Sequence, residues 1–371
     1  MDIFEWIATG IKIALVVFVM LNVVPLMVWI ERRGSALMQN RLGPNRVGPF
    51  GIFQSLADVV KFIAKEDFVP AHVEKFYFLL APLILLAPAF MTFAVVPFGG
   101  DITINGRIVH LQIADLNVGI LYIFSIASLG VYGIIMAGWA SNNKYSLLGS
   151  LRSSAQMISY ELSLGLSIIG ILMACGSLNL REIVVAQSNP WNILGFFSIP
   201  QWGVFIQPIG FLVFLTCVYA ETNRLPFDLP EGESEIVAGY HTEYGSMKFA
   251  LFFMAEYMNM VTASAMVVTL FFGGYLLLPG MSYLIAPLSN LLTHTPFVSG
   301  LSNLQDWAKL LLEVASFTIK VCFFMWLFVW VRWTLPRFRY DQLMNLGWKV
   351  MLPLSLANIV VTGFLIYFKV I

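Results

Sequence analysis

The acids of this chain are unevenly spread, and their crowding is the first chemical signal. Within residues 221–256 lie seven of the 21 Asp and Glu residues: Glu221, Asp228, Glu231, Glu233, Glu235, Glu243 and Glu256. Between Glu221 and Lys248, six carboxylates meet two cations. Carboxylates packed this closely cannot all ionise, so some must hold a proton near neutral pH. Groups that exchange protons in that range are what a proton relay requires. The same residues also fit an acidic docking surface for partner proteins. Pro, Phe and Gly interleave with the acids, so a structured loop is expected rather than a solvated tail.

A second polar set has helical spacing. Gln54, Asp58, Lys61 and Lys65 recur at intervals of four, three and four. At 100° per residue they fall within about 60° of one another, while Ile52, Leu56, Val59, Val60 and Ile63 take the opposite face. A helix over about 51–66, lying along a membrane surface, is the expectation. Its polar stripe is either a solvated face or one wall of a cavity for a membrane-soluble ligand, and spacing alone does not choose.

Isolated ionisable residues also occur in strongly apolar stretches: Glu161, Glu256, Glu313 and Lys320. A charge at the centre of a bilayer costs roughly 2.5–3.5 kcal/mol on insertion scales, so such residues usually face a bundle interior and mark an ion or proton path. Glu256 also fits a merely interfacial position. Glu313 and Lys320 are seven apart, on one face but two turns distant, which favours a bridging water or a third group over direct pairing.

The elements that must position these groups are membrane helices. The chain is 59% hydrophobic and 11% charged, with mean hydropathy +0.81, against about 25% charged in soluble domains. Eight segments of roughly the 20 residues needed to cross a bilayer are visible: 11–30, 78–98, 118–140, 156–176, 203–220, 249–278, 308–331 and 348–368. The fold class expected is an all-α, polytopic helical bundle, one membrane domain over 1–371, with a cytoplasmic amphipathic surface helix. Residues 279–296 read as a re-entrant or interfacial piece, because Pro279, Pro287 and Pro296 interrupt them. Loops one, three, five and seven hold fourteen Lys and Arg, and loops two, four and six hold only Arg107 and Arg181. The odd loops are therefore expected on the cytoplasmic (or matrix) side and both termini opposite. The N-terminal stretch opens with Asp2 and Glu5 and has too long an apolar run for a cleavable signal peptide.

Several function classes recede. Zero net charge argues against a nucleic-acid partner. Cys175, Cys217 and Cys322 are far apart with no CxxC, which disfavours iron–sulfur or structural zinc sites and fits buried small hydrophobes. His72, His110, His241 and His294 fall in expected loops, none paired to hold a haem. No glycine-rich nucleotide motif is present, and no inverted repeat supports a transporter of that type. Redox chemistry served by this chain would use electrons carried by its partners.

Four ordered motifs then resemble a known family: the H-type membrane subunit of the proton-pumping NADH–quinone oxidoreductase, respiratory complex I, of bacterial type. They are Glu31-Arg-Arg33 with residues 41–49 and 54–66, the stretch 152–161 ending in Tyr160-Glu161, loop 220–235 with 253–257, and residues 336–342. The resemblance implies a membrane subunit that anchors the peripheral arm and forms the membrane end of a quinone chamber. Quinone would be the substrate, with Glu31, Arg32, Gln54, Asp58, Lys61 and Phe227 lining its passage. Glu161, Glu221, Asp228, Glu231, Glu233, Glu235 and Glu256 would link the chamber to a proton path, and Lys320 would join a charged axis into antiporter-like subunits. FMN and iron–sulfur clusters would sit in partner subunits only, with no metal in this chain. Partners would be the peripheral-arm quinone-site and terminal iron–sulfur subunits, small membrane subunits, antiporter-like subunits and lipid, in the bacterial inner membrane. Residues 98–112, 186–202 and 280–305 make longer loops than in the smallest members. Two other classes fit part of the pattern: the related membrane subunit of an ion-translocating hydrogenase, and a stand-alone cation/proton antiporter.

Overall fold

The computed structural model describes residues 3–104, 106–193, 197–229, 237–279, 281–288 and 304–368. Its framework is a set of helices: α1 (Ile3–Met38), α2 (Gln54–Ala64), α3 (Lys75–Met91), α4 (Gly119–Ala140), α5 (Lys144–Cys175), α6 (Pro208–Glu221), α7 (Ser246–Phe271), α8 (Leu304–Thr334) and α9 (Tyr340–Tyr367). All but α2 and α6 are long and apolar enough to cross a membrane. This is a multi-pass, all-α membrane protein. α6 has 14 residues, about 21 Å at 1.5 Å per residue. The helical turn Gly203–Ile206 precedes it, and it lies against α5 and α7 with Val213, Phe214 and Cys217 buried.

Lipid offers no hydrophobic drive between helices, so close packing must hold the bundle. α3 and α4 meet through Gly130 and Gly133, and a Cβ on Gly133 would lie 2.9 Å from the Leu85 backbone nitrogen. α5 is the central helix, packed against α4, α6 and α9. Its buried residues include Ser146, Ser150, Ser153, Ser163 and Ser167. Serines are small enough for close approach, and Ser150 and Ser167 turn their hydroxyls back onto their own helix, to the Leu147 and Leu164 carbonyls. α9 is held to this core by a buried amide chain: Asn358 donates to Gln207 Oε1 at 2.8 Å, and Gln207 Nε2 donates to Thr362 Oγ1 at 2.8 Å.

Several boundaries differ from the sequence expectation. α1 runs on through Glu31 and Arg33 to Met38, so that motif is helical rather than loop; nothing breaks the helix until the turn formers near Gly43. α5 begins at Lys144, twelve residues before the expected span, because Asn143 caps it by accepting from the Tyr145 N–H. α7 stops at Phe271, where Gly273 and Gly274 take positive φ. The longer loops carry two short hairpins that periodicity did not suggest. β1 (Asp101–Ile104) pairs antiparallel with β2 (Arg107–His110), and β3 (Pro190–Ile193) with β4 (Phe197–Pro200). His110 is therefore in a strand. The expected re-entrant piece is described only in part, with a 3-10 turn at Met281–Leu284.

Candidate functional site

α2 is shorter than its polar pattern suggested, and its apolar face points outward, with Val60 and Ile63 exposed. It lies against α1 and α7. Arg32, in the last third of α1, donates to Asp58 Oδ2 at 2.5 Å; Gln54 Nε2 donates to Asp58 Oδ1 at 3.1 Å, and Lys61 stands 3.5 Å from the same carboxylate. Three of the residues singled out for quinone contact thus converge on the carboxylate of a fourth. Partial burial alone would raise the Asp58 pKa, but the bonds from Arg32 and Gln54 and the charges of Arg32 and Lys61 outweigh it, holding the group below 3.8.

Glu31, the neighbour of Arg32 on α1, turns inward. It is buried, accepts from the Tyr257 hydroxyl at 2.6 Å, and is bonded to the Arg332 guanidinium of α8. Arg224, after α6, lies 3.7 Å from Glu31 Oε2 and 4.0 Å from Glu256 Oε2, with its guanidinium 4.3 Å from the Tyr257 ring centroid. Tyr240 donates to Glu256 Oε1 at 2.9 Å. Two carboxylates and two guanidiniums therefore form a buried cluster joining α1, α7, α8 and the loop after α6. Buried charges persist only when paired in this way. Glu256 is buried within the cluster.

The first half of the acid loop is fastened from the opposite side. Arg337 donates to Asp228 Oδ2 at 3.1 Å, the Phe338 N–H donates to the Pro226 carbonyl at 3.1 Å, and the Phe338 and Phe227 rings are 5.4 Å apart. Gln156 of α5 donates to the Ala220 and Phe227 carbonyls, both at 2.8 Å. Phe227 is thus a buried packing residue between Tyr160 and Phe338. Glu231, Glu233 and Glu235 lie outside the described residues.

Glu221 closes α6 and Glu161 lies on α5, the helix packed against it. Glu221 also lines a cavity of about 60 Å³ bounded by α4, α5, α6, α7 and the turn after α3, with Met157, Thr222, Asn259 and Thr262 among its walls.

On the other side of the bundle, Lys320 donates to the carbonyls of Phe272, Gly274 and Leu276 at 3.0, 3.0 and 2.7 Å. Its three protons are satisfied by the frayed end of α7. Glu313 accepts from the Gly100 N–H at 3.0 Å and lies 3.7 Å from Lys309. The two do not pair with each other, as their spacing suggested, but no shared group bridges them among the described residues: each is held by partners of its own.

Sequence reasoning passes over Arg332, Arg337, Tyr240, Tyr257 and Gln156 as site residues; it counts the two arginines among the charges that set orientation, and meets Arg337, Tyr257 and Gln156 also within the family motifs. One sign of them is available: six carboxylates with two cations between Glu221 and Lys248 must find positive partners elsewhere in the chain.

With this geometry in view, comparison with known proteins is informative. A family model described as "NADH dehydrogenase" matches residues 11–363. A protein of Bdellovibrio bacteriovorus, named as the H-type subunit of NADH-quinone oxidoreductase, is 47% identical, covering 99% of this chain and 98% of its own. One of Koribacter versatilis, named as a second H-type subunit of the same enzyme, is 50% identical over 97% of each chain. "NADH-quinone oxidoreductase subunit 8" of Rhodothermus marinus is 49% identical, covering 94% and 95%. A likeness this extensive, running through every polar cluster described above, places the chain in the NADH dehydrogenase family as a relative of the H-type membrane subunit of NADH–quinone oxidoreductase.

Proposed function

We propose that this chain is the membrane subunit of a proton-translocating NADH–quinone oxidoreductase that walls the quinone chamber and passes the consequence of quinone reduction to a proton path. The names of its relatives support the enzyme and weigh against the hydrogenase and antiporter alternatives. The orientation expected from loop charges puts α2 and the acid loop on the cytoplasmic side of the inner membrane, where a peripheral arm carrying FMN and iron–sulfur clusters would dock.

The adjacency of Glu31 and Arg32 carries the reading. One faces the buried arginine cluster and the other clamps Asp58 on α2. A quinone headgroup beside Arg32, Gln54, Asp58 and Lys61 takes up protons as well as electrons when it is reduced. The charge change at that spot is felt one residue away by Glu31, and through Arg224 by Glu256. Glu231, Glu233 and Glu235 continue the same loop, and Glu161 and Glu221 begin the route into the membrane. Asp228, held by Arg337, serves this scheme by fixing the loop. Lys320 is the least connected member of the proposed path, since its ammonium is committed to backbone carbonyls.

Photolabelling tests the chamber directly. A photoreactive quinone analogue, added to the assembled enzyme, is expected to attach to peptides containing Arg32 or Asp58 and to be displaced by excess quinone. Displaceable labelling confined to other peptides would refute the chamber.

A further inference from the structure

α2 carries Gln54, Asp58 and Lys61 of the proposed chamber, yet packing does little to hold it. Ser55 is the one buried residue along its length. A helix with so little buried surface takes its place from point contacts. Ahead of its first turn it is tied to α1, where Trp29 Nε1 donates to the Phe50 carbonyl at 3.0 Å. Its far end is tied to the start of α7 by a set of contacts that neither the Asp58 group nor the arginine cluster explains.

Lys65 turns extended, with ψ 142°, and ends α2, so the last carbonyls of the helix lose their helical partners. Ser246, the first residue of α7, supplies one. Its hydroxyl donates between the Phe62 carbonyl at 2.9 Å and the Lys65 carbonyl at 3.0 Å. Ser246 takes φ +54° there, a region that few residues other than glycine occupy. Two residues on, Lys248 is 6% exposed, and its ammonium crosses to the segment that follows α2. It is bonded to the Asp67 carboxylate and donates to the Phe68 carbonyl at 3.3 Å. The same ammonium lies 5.7 Å from the Phe78 ring centroid, and the Phe62 and Phe249 rings are 6.3 Å apart. A buried ammonium keeps its charge only while partners of this kind stay in place, so the contact fixes a geometry as well as a distance.

We propose that Lys248 and Asp67, with Ser246 beside them, are positioning residues for the quinone site: they fasten the end of α2 to α7 and thereby hold Asp58 against Arg32. The lever is short. From Asp58 to Lys65 is about 10 Å of helix at 1.5 Å per residue, so a shift at the fastened end is passed on to Asp58 with little loss. Charge-assisted bonds span about 2.7–2.9 Å, and a displacement of about 1 Å breaks the one from Arg32. The pair acts on how well the site is formed, so it governs quinone binding rather than the electron transfer that follows. This inference rests on the chamber proposed above.

The test uses the purified, assembled complex and reads quinone KM and kcat with NADH in excess. Lys248→Met raises KM roughly tenfold and changes kcat by at most about twofold, within the range that a misplacement of about 1 Å costs. Lys248→Arg, which keeps the charge and the reach, restores the native KM. Asp67→Asn gives a smaller rise of about two- to fivefold, as expected where one partner of an ion pair is exposed. Its side chain is 58% exposed, so it carries the test should Lys248→Met assemble poorly. In an Asp58→Asn background neither substitution raises KM much further, because the Arg32 contact that they align is already weakened. An unchanged KM in both Lys248→Met and Asp67→Asn, or rises that add in full to that of Asp58→Asn, overturns the positioning role. Asp58→Asn alone separates the two levels: an unchanged KM there brings down the chamber itself, whereas a raised KM there with native values in the other two brings down only the positioning pair.

Discussion

Replacing Arg224 by methionine tests the central physical claim, that α1, α7 and α8 are joined through paired buried charge. Methionine keeps much of the length and apolar bulk of the arginine stem, so the change is chiefly electrostatic. Arg224 lies 3.7 Å from Glu31 and 4.0 Å from Glu256. At an effective dielectric of about 20, each pair is worth roughly 4 kcal/mol before desolvation is counted. Desolvation of all three groups offsets much of that gain, and the measured cost of removing one partner from a buried ion pair is about 3–5 kcal/mol. That is a factor of about 10² to 10⁴ in an equilibrium between assembled and unfolded subunit, at roughly 1.4 kcal/mol per decade. The assay is the temperature at which half the detergent-solubilised complex loses quinone reductase activity, with Arg339→Gln as the control. Arg339 pairs with Asp341 at 3.0 Å on an exposed surface, where ion pairs contribute little. Arg224→Met is expected to fall far below the control, and adding Glu256→Gln to recover part of the loss, because one stranded carboxylate is then neutral. Equal midpoints for Arg224→Met and Arg339→Gln would refute the reasoning.

Two further outcomes follow from the same geometry. Asp58 has a folded-state pKa held below 3.8, so the stability it lends to the α1–α2 contact is present above that value and is lost only as pH falls through the lower folded value. Quinone KM should accordingly show no Asp58-dependent change between about pH 5 and 8, while Asp58→Asn raises it several-fold at every pH in that window; a titration of KM near pH 6 that Asp58→Asn abolishes contradicts the assignment. Lys320→Met strands the carbonyls of Phe272, Gly274 and Leu276, at about 1–3 kcal/mol for each left unsatisfied. Amide exchange over 272–276 should accelerate well before NADH oxidation fails, and a pumping defect with normal exchange there would instead favour a relay role for Lys320.

The sequence made the membrane architecture legible because span-forming segments are long and their signal is additive over some 20 residues. The polar stripe of α2 was legible too, since Gln54, Asp58 and Lys61 obey helical spacing and do gather at one point. Helix ends were less so: the apolar run of α5 begins near residue 156, yet the helix starts at Lys144, where an Asn143 cap and serine packing rather than hydropathy decide. Least legible were the partners of the buried acids. Arg332 and Arg337 are separated from Glu31 and Asp228 by 301 and 109 positions, and no local pattern ties charges so far apart. Phe227 carries a further role that no local pattern signalled: beside the ligand contact that the resemblance implies for it, it packs between Tyr160 and Phe338.

The partners also divide the carboxylates by what they are able to do. A carboxylate bonded to guanidinium has charge-assisted bonds that hold it in one geometry. Glu31 is bonded to Arg332 with Arg224 beside it, and Asp228 is bonded to Arg337. Glu221 differs: it lines the cavity between α4, α5, α6 and α7. Glu256 stands between the two classes, tied to Arg224 and Tyr240 at one end of the stripe on α7 that runs on to Asn259 and Thr262. Under the proposed function the arginine cluster would hold the shape of the chamber's wall, while proton traffic would fall to Glu161 and Glu221. The cationic side chains would then do more than neutralise: by occupying one set of acids they would leave the other set to move protons.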